Sequence, residues 1–371
     1  MNIPVNEPLI SKEAKKNVIN ALDTNWISSS GPFIKEFEDD FAKVYGVKHA
    51  IAVANGTAAL HVALLSLGIG IGDEVIVPAF TMGASWMAVL YTGATPVFVD
   101  CVLDNYNIDP DKIEDKITKK TKVIMPVHIY GHPCEMDKIM MLAKKYNLSV
   151  LEDAAEAHGA LYNGKLMGTF GDLGCFSFYA NKIITTGEGG MIITNNDDLA
   201  IKCRKLKDLH HSEKRFVHDG IGYNYRMTNL QAAVGCGELK HLDEYVNKKI
   251  WMADLYSELL KTVPGIKTPQ TKENCKNVFW MYAILVDKDK FGYDKNELAA
   301  KLKNVGIDTR DFFYSPEDQP VLSSMIDHAT FPNTKFISQN GLYLPSGLAI
   351  TKDQIECVCK EIVNFYSESI R

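Results

Sequence analysis

The sequence predicts an α/β protein with a largely parallel sheet, followed by a smaller C-terminal α+β domain. Short apolar runs alternate with longer amphipathic ones until about residue 260, as in proteins whose strands and helices alternate. The pattern changes after Thr228, where a long helical stretch begins. The 371 residues suffice for two domains of about 150 residues or more. We expect residues 1–240 to form the larger domain and residues 241–371 the smaller one.

The composition is that of a globular protein and excludes several classes of function. Hydrophobic residues make up 46% and charged residues 23%, whereas disordered chains have fewer apolar residues. The net charge of −6 disfavours binding to a nucleic-acid polymer or an anionic membrane. Eight scattered cysteines form no C-x-x-C pair, so we expect no metal site and no disulfide framework. The N-terminus lacks a signal-peptide pattern, which favours the cytoplasm.

Seven apolar segments, each five or six residues long, are the strand candidates. They are 50–54, 74–78, 95–99, 122–127, 148–152, 174–178 and 190–194. Residues 75–99 contain no charged side chain, which raises the question of a membrane span. Pro78, Gly83 and Gly93 interrupt this stretch, so we expect a buried strand–helix–strand unit instead.

Helical patterns fill the intervals between the strand candidates. The predicted helices of the larger domain are 57–67, 110–117 and 135–146. Asp109 followed by Pro110 is a typical helix start. The C-terminal part is predicted to contain a helix from 228 to 262, a strand over 278–286, and helices over 296–305 and 351–367.

One lysine stands alone in an otherwise uncharged segment. Between Asp172 and Glu188 the only charged residue is Lys182, which follows an apolar strand and precedes a glycine-rich turn. Lysines are usually solvated surface groups. Partial desolvation here would lower the pKa of the amine, so that Lys182 could act as a nucleophile and form a Schiff base.

An aspartate marks the end of another strand. Asp153 follows the strand candidate 148–152, at the carboxyl edge where open α/β sheets bind ligands. A carboxylate there could hold a pyridinium nitrogen, as pyridoxal phosphate requires. The alternative is that Asp153 only caps the next helix.

A candidate phosphate site lies between the strand candidate 50–54 and the predicted helix 57–67. In the segment VANGTAALH, Gly56 allows close backbone approach and the helix start offers free N–H groups. Ser177 could add a hydroxyl. A simple tight turn with Thr57 as the N-cap is the alternative, and it is compatible with phosphate binding.

Taken together, these segments resemble the sugar-nucleotide aminotransferase family of the DegT/StrS type, over nearly the whole chain. The motifs that carry the resemblance are WISSSGPFIKEFE, VANGTAALH, GDEVIVPAFT, GATPVFVD, PVHIYGH, LEDAAEAHGA, FSFYANKIITTGEGGMI and GYNYRMTNLQAA. They are most similar to the perosamine-synthase branch. The resemblance implies the type I fold of pyridoxal-phosphate enzymes, with a mostly parallel seven-stranded sheet in the larger domain.

The resemblance also implies roles for individual residues. Lys182 would be the Schiff-base lysine, Asp153 the partner of the pyridine nitrogen, and Glu156 the partner of the phenolic oxygen. The other cofactor-binding residues implied are Gly56, Thr57, Ala58, Met82, Ser177 and Asn224, the last from a second subunit. Residues implied near the substrate are His158, Tyr130, Tyr314 and Arg226.

Three features depart from the family pattern. Met82 stands where the family has an aromatic residue stacked on the pyridine ring, and a thioether can still pack on a π face. His132 replaces the glutamine of the motif VHxYGQ, and the segment TRDFFYSPEDQPVL lacks the histidine of the pattern PFFYPxH. These departures concern the grip on the cofactor and the identity of the sugar and the nucleotide, while the residues needed for the reaction type are present.

The implied reaction is amino transfer from L-glutamate to a nucleotide-linked 4-keto-6-deoxyhexose, as in GDP-perosamine synthesis. The product would be a 4-amino-4,6-dideoxy sugar for a surface polysaccharide such as O-antigen, made by a homodimer with shared active sites. The alternatives are a dTDP- or UDP-linked substrate, a sugar dehydratase, or a regulatory protein without activity. Dehydratases of the family carry histidine at the position of Lys182, which favours amino transfer here.

Overall fold

The computed structural model describes residues 2–214, 216–326 and 329–369. The helices are α1 (Lys12–Asp23), α2 (Pro32–Tyr45), α3 (Gly56–Ser66), α4 (Ala84–Tyr91), α5 (Met136–Tyr146), α6 (Asp197–Lys207), α7 (Asn229–Leu239), α8 (Leu242–Leu260), α9 (Lys288–Phe291), α10 (Lys295–Asn304), α11 (Pro332–Asn340) and α12 (Lys352–Ser369). The strands are β1 (His49–Val53), β2 (Glu74–Pro78), β3 (Thr95–Val99), β4 (Thr121–Ile124), β5 (Ser149–Asp153), β6 (Leu161–Tyr162), β7 (Lys165–Leu166), β8 (Leu173–Ser177), β9 (Gly190–Thr194), β10 (Ile266–Lys267), β11 (Cys275–Lys276), β12 (Tyr282–Val286), β13 (Arg310–Asp311) and β14 (Gly341–Leu344).

The central sheet has seven strands in the order β1-β9-β8-β5-β4-β2-β3. All pairs from β8 to β3 are parallel, and only β9 runs antiparallel to its neighbours β1 and β8. These strands are almost entirely buried because helices cover both faces, which explains why they are continuous apolar runs in the sequence. The predicted mostly parallel seven-stranded sheet is confirmed.

The direction of the strands gathers the functional segments at one edge of the sheet. Strand β1 is antiparallel to β9, which is antiparallel to β8, so β1, β2, β5 and β8 all point the same way. Their carboxyl ends therefore lie at one edge, where open α/β sheets bind ligands. The chain segments that follow β1, β2 and β5, and the end of β8 itself, supply the site described below.

A second core forms around the C-terminal sheet, whose strands are antiparallel in the order β10-β12-β14-β13. Side chains of α8, α10 and α12 pack into this core. The N-terminal segment joins it as well, because Ile3 is buried there and pairs with Ile307. A small separate sheet, β11-β6-β7, contributes Tyr162 to the core that contains Phe41 and Phe176.

The charge-free stretch 75–99 is a strand–helix–strand unit, as predicted. It comprises most of β2, the whole of α4 and the whole of β3. Among the described residues, no helix combines the length and the apolar character needed to cross a lipid bilayer.

Three local predictions were wrong. The helix expected over 228–262 is two helices, because α7 ends before Lys240 and His241 precedes α8 while its ring contacts Glu13 and Glu244. Apolar periodicity continues across such a short break and does not reveal it. The helix expected over 110–117 is two successive 3-10 turns. The strand expected from 278 begins only at Tyr282, because Phe279 has a φ of 46° that no strand accommodates.

Candidate active site

A cavity of about 580 Å³ lies at the carboxyl edge of the central sheet. Residues that follow β1, β2, β4 and β5 line it, together with the end of β8 and the loop after it. The C-terminal half adds Tyr225, Trp280, Phe313 and Tyr343. Eight of the predicted cofactor-binding residues meet in this lining. They are Gly56, Thr57, Ala58, Met82, Asp153, Glu156, Ser177 and Lys182.

Lys182 is a largely buried lysine, with about 10% of its side chain exposed. Its Nζ lies 3.7 Å from Oε1 of Glu156 and 3.6 Å from the centroid of the Trp280 ring. Burial lowers the pKa of the amine, and the nearby carboxylates of Glu156 and Asp153 oppose part of that shift. The alternative of a solvated surface lysine is therefore wrong, and the amine is placed for nucleophilic chemistry.

Asp153 is the last residue of β5 and is buried. Its Oδ2 accepts a hydrogen bond from Oγ of Ser85 at 2.8 Å, and its Oδ1 accepts one from the N–H of Ala155 at 3.2 Å. Burial raises the pKa of the carboxyl, whereas the Ser85 hydroxyl and the charge of Lys182 lower it. Asp153 caps no helix, since the next helix of the described chain is α6.

Ser85 belongs to a short relay that the sequence analysis did not identify. Its Oγ lies 2.8 Å from Oγ1 of Thr81, and both side chains are buried and line the cavity. The only signal in the sequence is the spacing of two hydroxyl residues one helical turn apart, which is common by chance. The relay orients the oxygen of Asp153 that it contacts.

Glu156 is fixed by a backbone contact on one side. Its Oε2 accepts a hydrogen bond from the N–H of Tyr130 at 2.7 Å, which leaves Oε1 directed toward Lys182. Burial raises the pKa of this carboxyl to about 7, and the charge of Lys182 opposes the rise. Glu156 can therefore gain or lose a proton near neutral pH.

The start of α3 forms the third part of the cavity. Asn55, not Thr57, is the N-cap, because its side chain accepts the N–H of Ala58 at 2.8 Å. The helix N-terminus leaves other first-turn N–H groups available to an anion. Glycine is required at position 56, since an added Cβ would lie 2.8 Å from Cβ of Ser177. The turn at Gly56 therefore lies in direct contact with Ser177 at the end of β8.

The structure places the remaining predicted residues outside the described lining of the cavity. His158 is buried between Phe176 and Phe178, and burial lowers the pKa of its ring to about 3. Neither ring nitrogen of His158 has a hydrogen-bond partner among the described residues. Tyr130 is buried beneath the site, and Tyr314 is exposed with its hydroxyl 3.3 Å from Asp311.

Asn224 and Arg226 lie on a segment that pairs with the end of β1 through Val53 and Ala54. Nη2 of Arg226 donates to Oδ1 of Asn224 at 2.8 Å, and Nη1 donates to Oδ1 of Asp208 at 2.5 Å. These contacts, all within one chain, hold both side chains outside the lining of that chain's cavity. The predicted role of Asn224 at the site of a second subunit and the predicted place of Arg226 near the substrate stay predictions.

Comparisons with known proteins agree with this geometry. A sequence profile of the DegT/DnrJ/EryC1/StrS aminotransferase family matches residues 8–363. The chain belongs to this family. GDP-perosamine synthase of Escherichia coli O157:H7 is 42% identical, with 99% of each chain covered, and that of Caulobacter vibrioides is 43% identical, with 96% covered in each. The structure of DesV from S. venezuelae superposes with a TM-score of 0.90 at 33% identity, over 97% of this chain and 99% of that one.

As a member of this family, the protein is an aminotransferase that depends on pyridoxal phosphate. The cavity fits that cofactor. It combines a buried amine at Lys182, a buried carboxylate at Asp153 and the free N–H groups of a helix start, which suit an aldehyde, a pyridine nitrogen and a phosphate. Among the described residues, no three His, Cys, Asp or Glu side chains are grouped to bind a metal.

Proposed function

We propose that this protein transfers an amino group from L-glutamate to the keto group of a GDP-linked 4-keto-6-deoxyhexose. The product is a 4-amino-4,6-dideoxy sugar. Two relatives that match over nearly their full length are GDP-perosamine synthases, which supports both the nucleotide and the sugar class. The observation that carries the reaction type is the buried amine of Lys182, which faces Glu156 and the cavity.

Pyridoxal phosphate, when bound, supplies an aldehyde for the exchange of amines and a ring that takes up electrons. Asp153 is the residue that holds a proton on the pyridine nitrogen. Ser85 supports that role because its hydroxyl stabilises the ionised carboxylate of Asp153. Loss of this negative charge would weaken the hold on the ring proton and slow the transfer.

Lys182 has two tasks in this proposal. Its Nζ would hold the cofactor covalently, and when free it would move the proton at the α-carbon of glutamate. A base for that proton must be neutral when it acts, and burial lowers the pKa of the amine in that direction. Glu156, at 3.7 Å, is placed to exchange a proton with the amine.

We further propose that the protein works as a homodimer with shared active sites. Among the described lining residues the only cationic side chain is Lys182, whereas Asp153, Glu156 and Glu188 are acidic. The phosphate of the cofactor and the diphosphate of the substrate both require more positive charge than this. Asn224 and Arg226 of a second copy would supply polar and cationic groups. The exposed Tyr314 would add a hydroxyl near the substrate, and the buried His158 and Tyr130 would support the residues of the lining from behind.

The setting of the reaction is also a proposal. All eight cysteines are free thiols, which fits a reducing compartment and supports the cytoplasm. The amino sugar would serve a surface polysaccharide such as O-antigen. We assign the cofactor to the domain formed by residues 1–240 and propose that residues 241–371 close one wall of the cavity.

A substrate panel tests this function. The purified protein is incubated with L-glutamate and with GDP-, dTDP- or UDP-linked 4-keto-6-deoxy sugars, and the release of 2-oxoglutarate is measured. We expect the GDP-linked sugar to give the highest kcat/KM. A preference for a dTDP- or UDP-linked sugar would contradict the assignment of the nucleotide. Deoxygenation of the sugar, with ammonia released and no amine incorporated into the sugar, would indicate a dehydratase, and no turnover with any sugar would favour a regulatory protein.

A further inference from the structure

An aromatic ring from the C-terminal half of the chain covers the amine of Lys182. The centroid of the Trp280 ring lies 3.6 Å from Nζ, at the distance of a close cation–π contact. Trp280 is only 4% exposed and lines the cavity, although it lies 98 positions after Lys182 in the sequence. No motif of the sequence analysis includes this residue.

Every polar group of Trp280 has a partner that fixes the ring. Its backbone N–H donates to the carbonyl of Tyr130 at 2.8 Å, and its own carbonyl accepts from Nζ of the buried Lys249 at 2.8 Å. The indole Nε1–H donates to the carbonyl of Asn181 at 2.8 Å. Because Asn181 directly precedes Lys182, this bond ties the ring to the backbone that carries the amine.

The backbone around the ring is held in an uncommon conformation. Phe279, the residue before Trp280, has a φ of 46°, and Tyr130, which accepts the Trp280 N–H, has a φ of 53°. Bulky side chains are sterically disfavoured in the left-handed region and seldom occupy it. Such strain persists where the surrounding structure requires it, and functional sites are where it concentrates.

The ring gives Lys182 a kind of contact that its other neighbours do not. The charged groups facing the amine are the carboxylates of Glu156 and Asp153. Burial and the charge of Lys182 lower the pKa of the His158 ring, so that ring is neutral. A carboxylate stabilises the ammonium but can also remove its proton. An indole face attracts the cation without accepting the proton and without occupying an N–H group.

We propose that Trp280 is a positioning residue for Lys182: its face holds the ammonium form at the wall of the cavity, and its N–H fixes the lysine-bearing loop. The proposal rests on the proposed function, because it concerns the periods in which the amine is not bonded to the cofactor. In those periods the contact keeps Nζ in place, and the ammonium retains its proton until the proton is transferred to the acceptor. Lys249 and Tyr130 serve this role indirectly, by anchoring the ring.

The test measures the proton affinity of Lys182 directly. The full-length protein without cofactor is treated briefly with acetic anhydride at a series of pH values, and acetylation of Lys182 is followed by peptide mass spectrometry. In Trp280→Leu, which has no ring, we expect the midpoint of the labelling profile to fall by about one pH unit. In Trp280→Phe, which has a weaker ring and no N–H, we expect a smaller fall in the same direction.

Two controls separate this effect from a general loss of structure. Phe313→Leu removes another ring from the lining of the same cavity and should leave the midpoint unchanged. The exposed Lys35, with 80% of its side chain accessible, is an internal reference whose labelling should be identical in all variants. A merely structural role of Trp280 would alter stability without shifting the midpoint of Lys182.

An unchanged or raised midpoint in both Trp280 variants would overturn the proposal. If the leucine variant does not fold, the phenylalanine variant decides, and an unshifted midpoint there overturns it. A separate experiment keeps the proposed function distinguishable: borohydride reduction of the wild-type protein with pyridoxal phosphate should label Lys182. Absence of that label would contradict the proposed function, whereas the acetylation midpoint does not depend on it.

Discussion

Substitution of Gly56 by alanine should weaken cofactor binding while leaving the fold intact. The added methyl carbon would lie 2.8 Å from Cβ and 3.2 Å from Oγ of Ser177. Non-bonded carbons pack at about 3.5–4.0 Å, so the start of α3 and the end of β8 must separate by about 1 Å. Overpacking of this kind costs about 1–3 kcal/mol of folding stability, which a protein of this size tolerates.

The displacement acts on the N–H groups that we assign to the phosphate. A hydrogen bond to a charged group contributes about 1.5–3 kcal/mol, so the loss of one such bond weakens binding by about tenfold to a hundredfold. The dissociation constant of pyridoxal phosphate is measured by equilibrium dialysis, and urea denaturation of the cofactor-free protein reports stability separately. Gly56→Ala should show the loss of affinity with only a modest loss of stability.

Gly70→Ala is the matched control for this substitution. The nearest atom to an added Cβ at Gly70 is the carbonyl oxygen of Thr92, 4.0 Å away, and the backbone there is not left-handed. We expect wild-type affinity in this variant. Wild-type affinity in Gly56→Ala, or an equal loss in both variants, would refute the assignment of the α3 start to the phosphate.

Substitutions at three further positions test the electrostatics of buried carboxylates. Ser85→Ala removes the hydroxyl that stabilises ionised Asp153, so the acid limb of the glutamate reaction should move up by about one pH unit. Ser85→Thr should restore its position, and an unmoved limb in the alanine variant would contradict the role. Glu156→Gln removes a carboxyl whose pKa burial raises to about 7. The wild-type pH–rate profile should therefore have an inflection near neutral pH that disappears in this variant. If the inflection persists in Glu156→Gln, another group causes it. Glu38→Gln leaves the buried ammonium of Lys207 without its counter-charge, and urea denaturation at pH 7 should show a loss of about 3 kcal/mol. The pKa of Glu38 in the folded protein lies below the ordinary 4.5. The stability difference between the wild type and Glu38→Gln is therefore fully present above pH 4.5 and shrinks as the pH falls through the folded pKa. An equal loss of stability at pH 7 and at pH 3 would contradict this.

The central sheet could be predicted closely because each of its strands is a buried apolar run. The predicted segments 74–78, 95–99 and 190–194 coincide with β2, β3 and β9. The predicted segment 122–127 extends past β4, since the apolar run continues into the segment that reaches the cavity. Features that depend on a single residue could not be predicted, such as the helix break at His241 and the left-handed conformation of Phe279 before β12.

The site was predictable where one residue stands out from its local sequence. Lys182 is the only charge in its segment, and Asp153 ends an apolar strand, so both could be identified from their neighbours. Trp280 and Ser85 could not, because their importance depends on contacts with Lys182 and Asp153, which lie 98 and 68 positions away. The cap of α3 was misassigned because Asn55 and Thr57 are both good N-caps, and only the backbone geometry decides between them.

The most direct measurement of the central claim follows the nitrogen atom. The wild-type protein is incubated with ¹⁵N-labelled L-glutamate and a GDP-linked 4-keto-6-deoxyhexose, and the nucleotide sugar is analysed by mass spectrometry. We predict that the wild type converts the keto group to a ¹⁵N-labelled amine, and that Lys182→Ala, folded to the same extent, does not. A nucleotide sugar without the label from the wild type, or labelled product formed by Lys182→Ala at the wild-type rate, would contradict the claim that Lys182 carries the amino transfer.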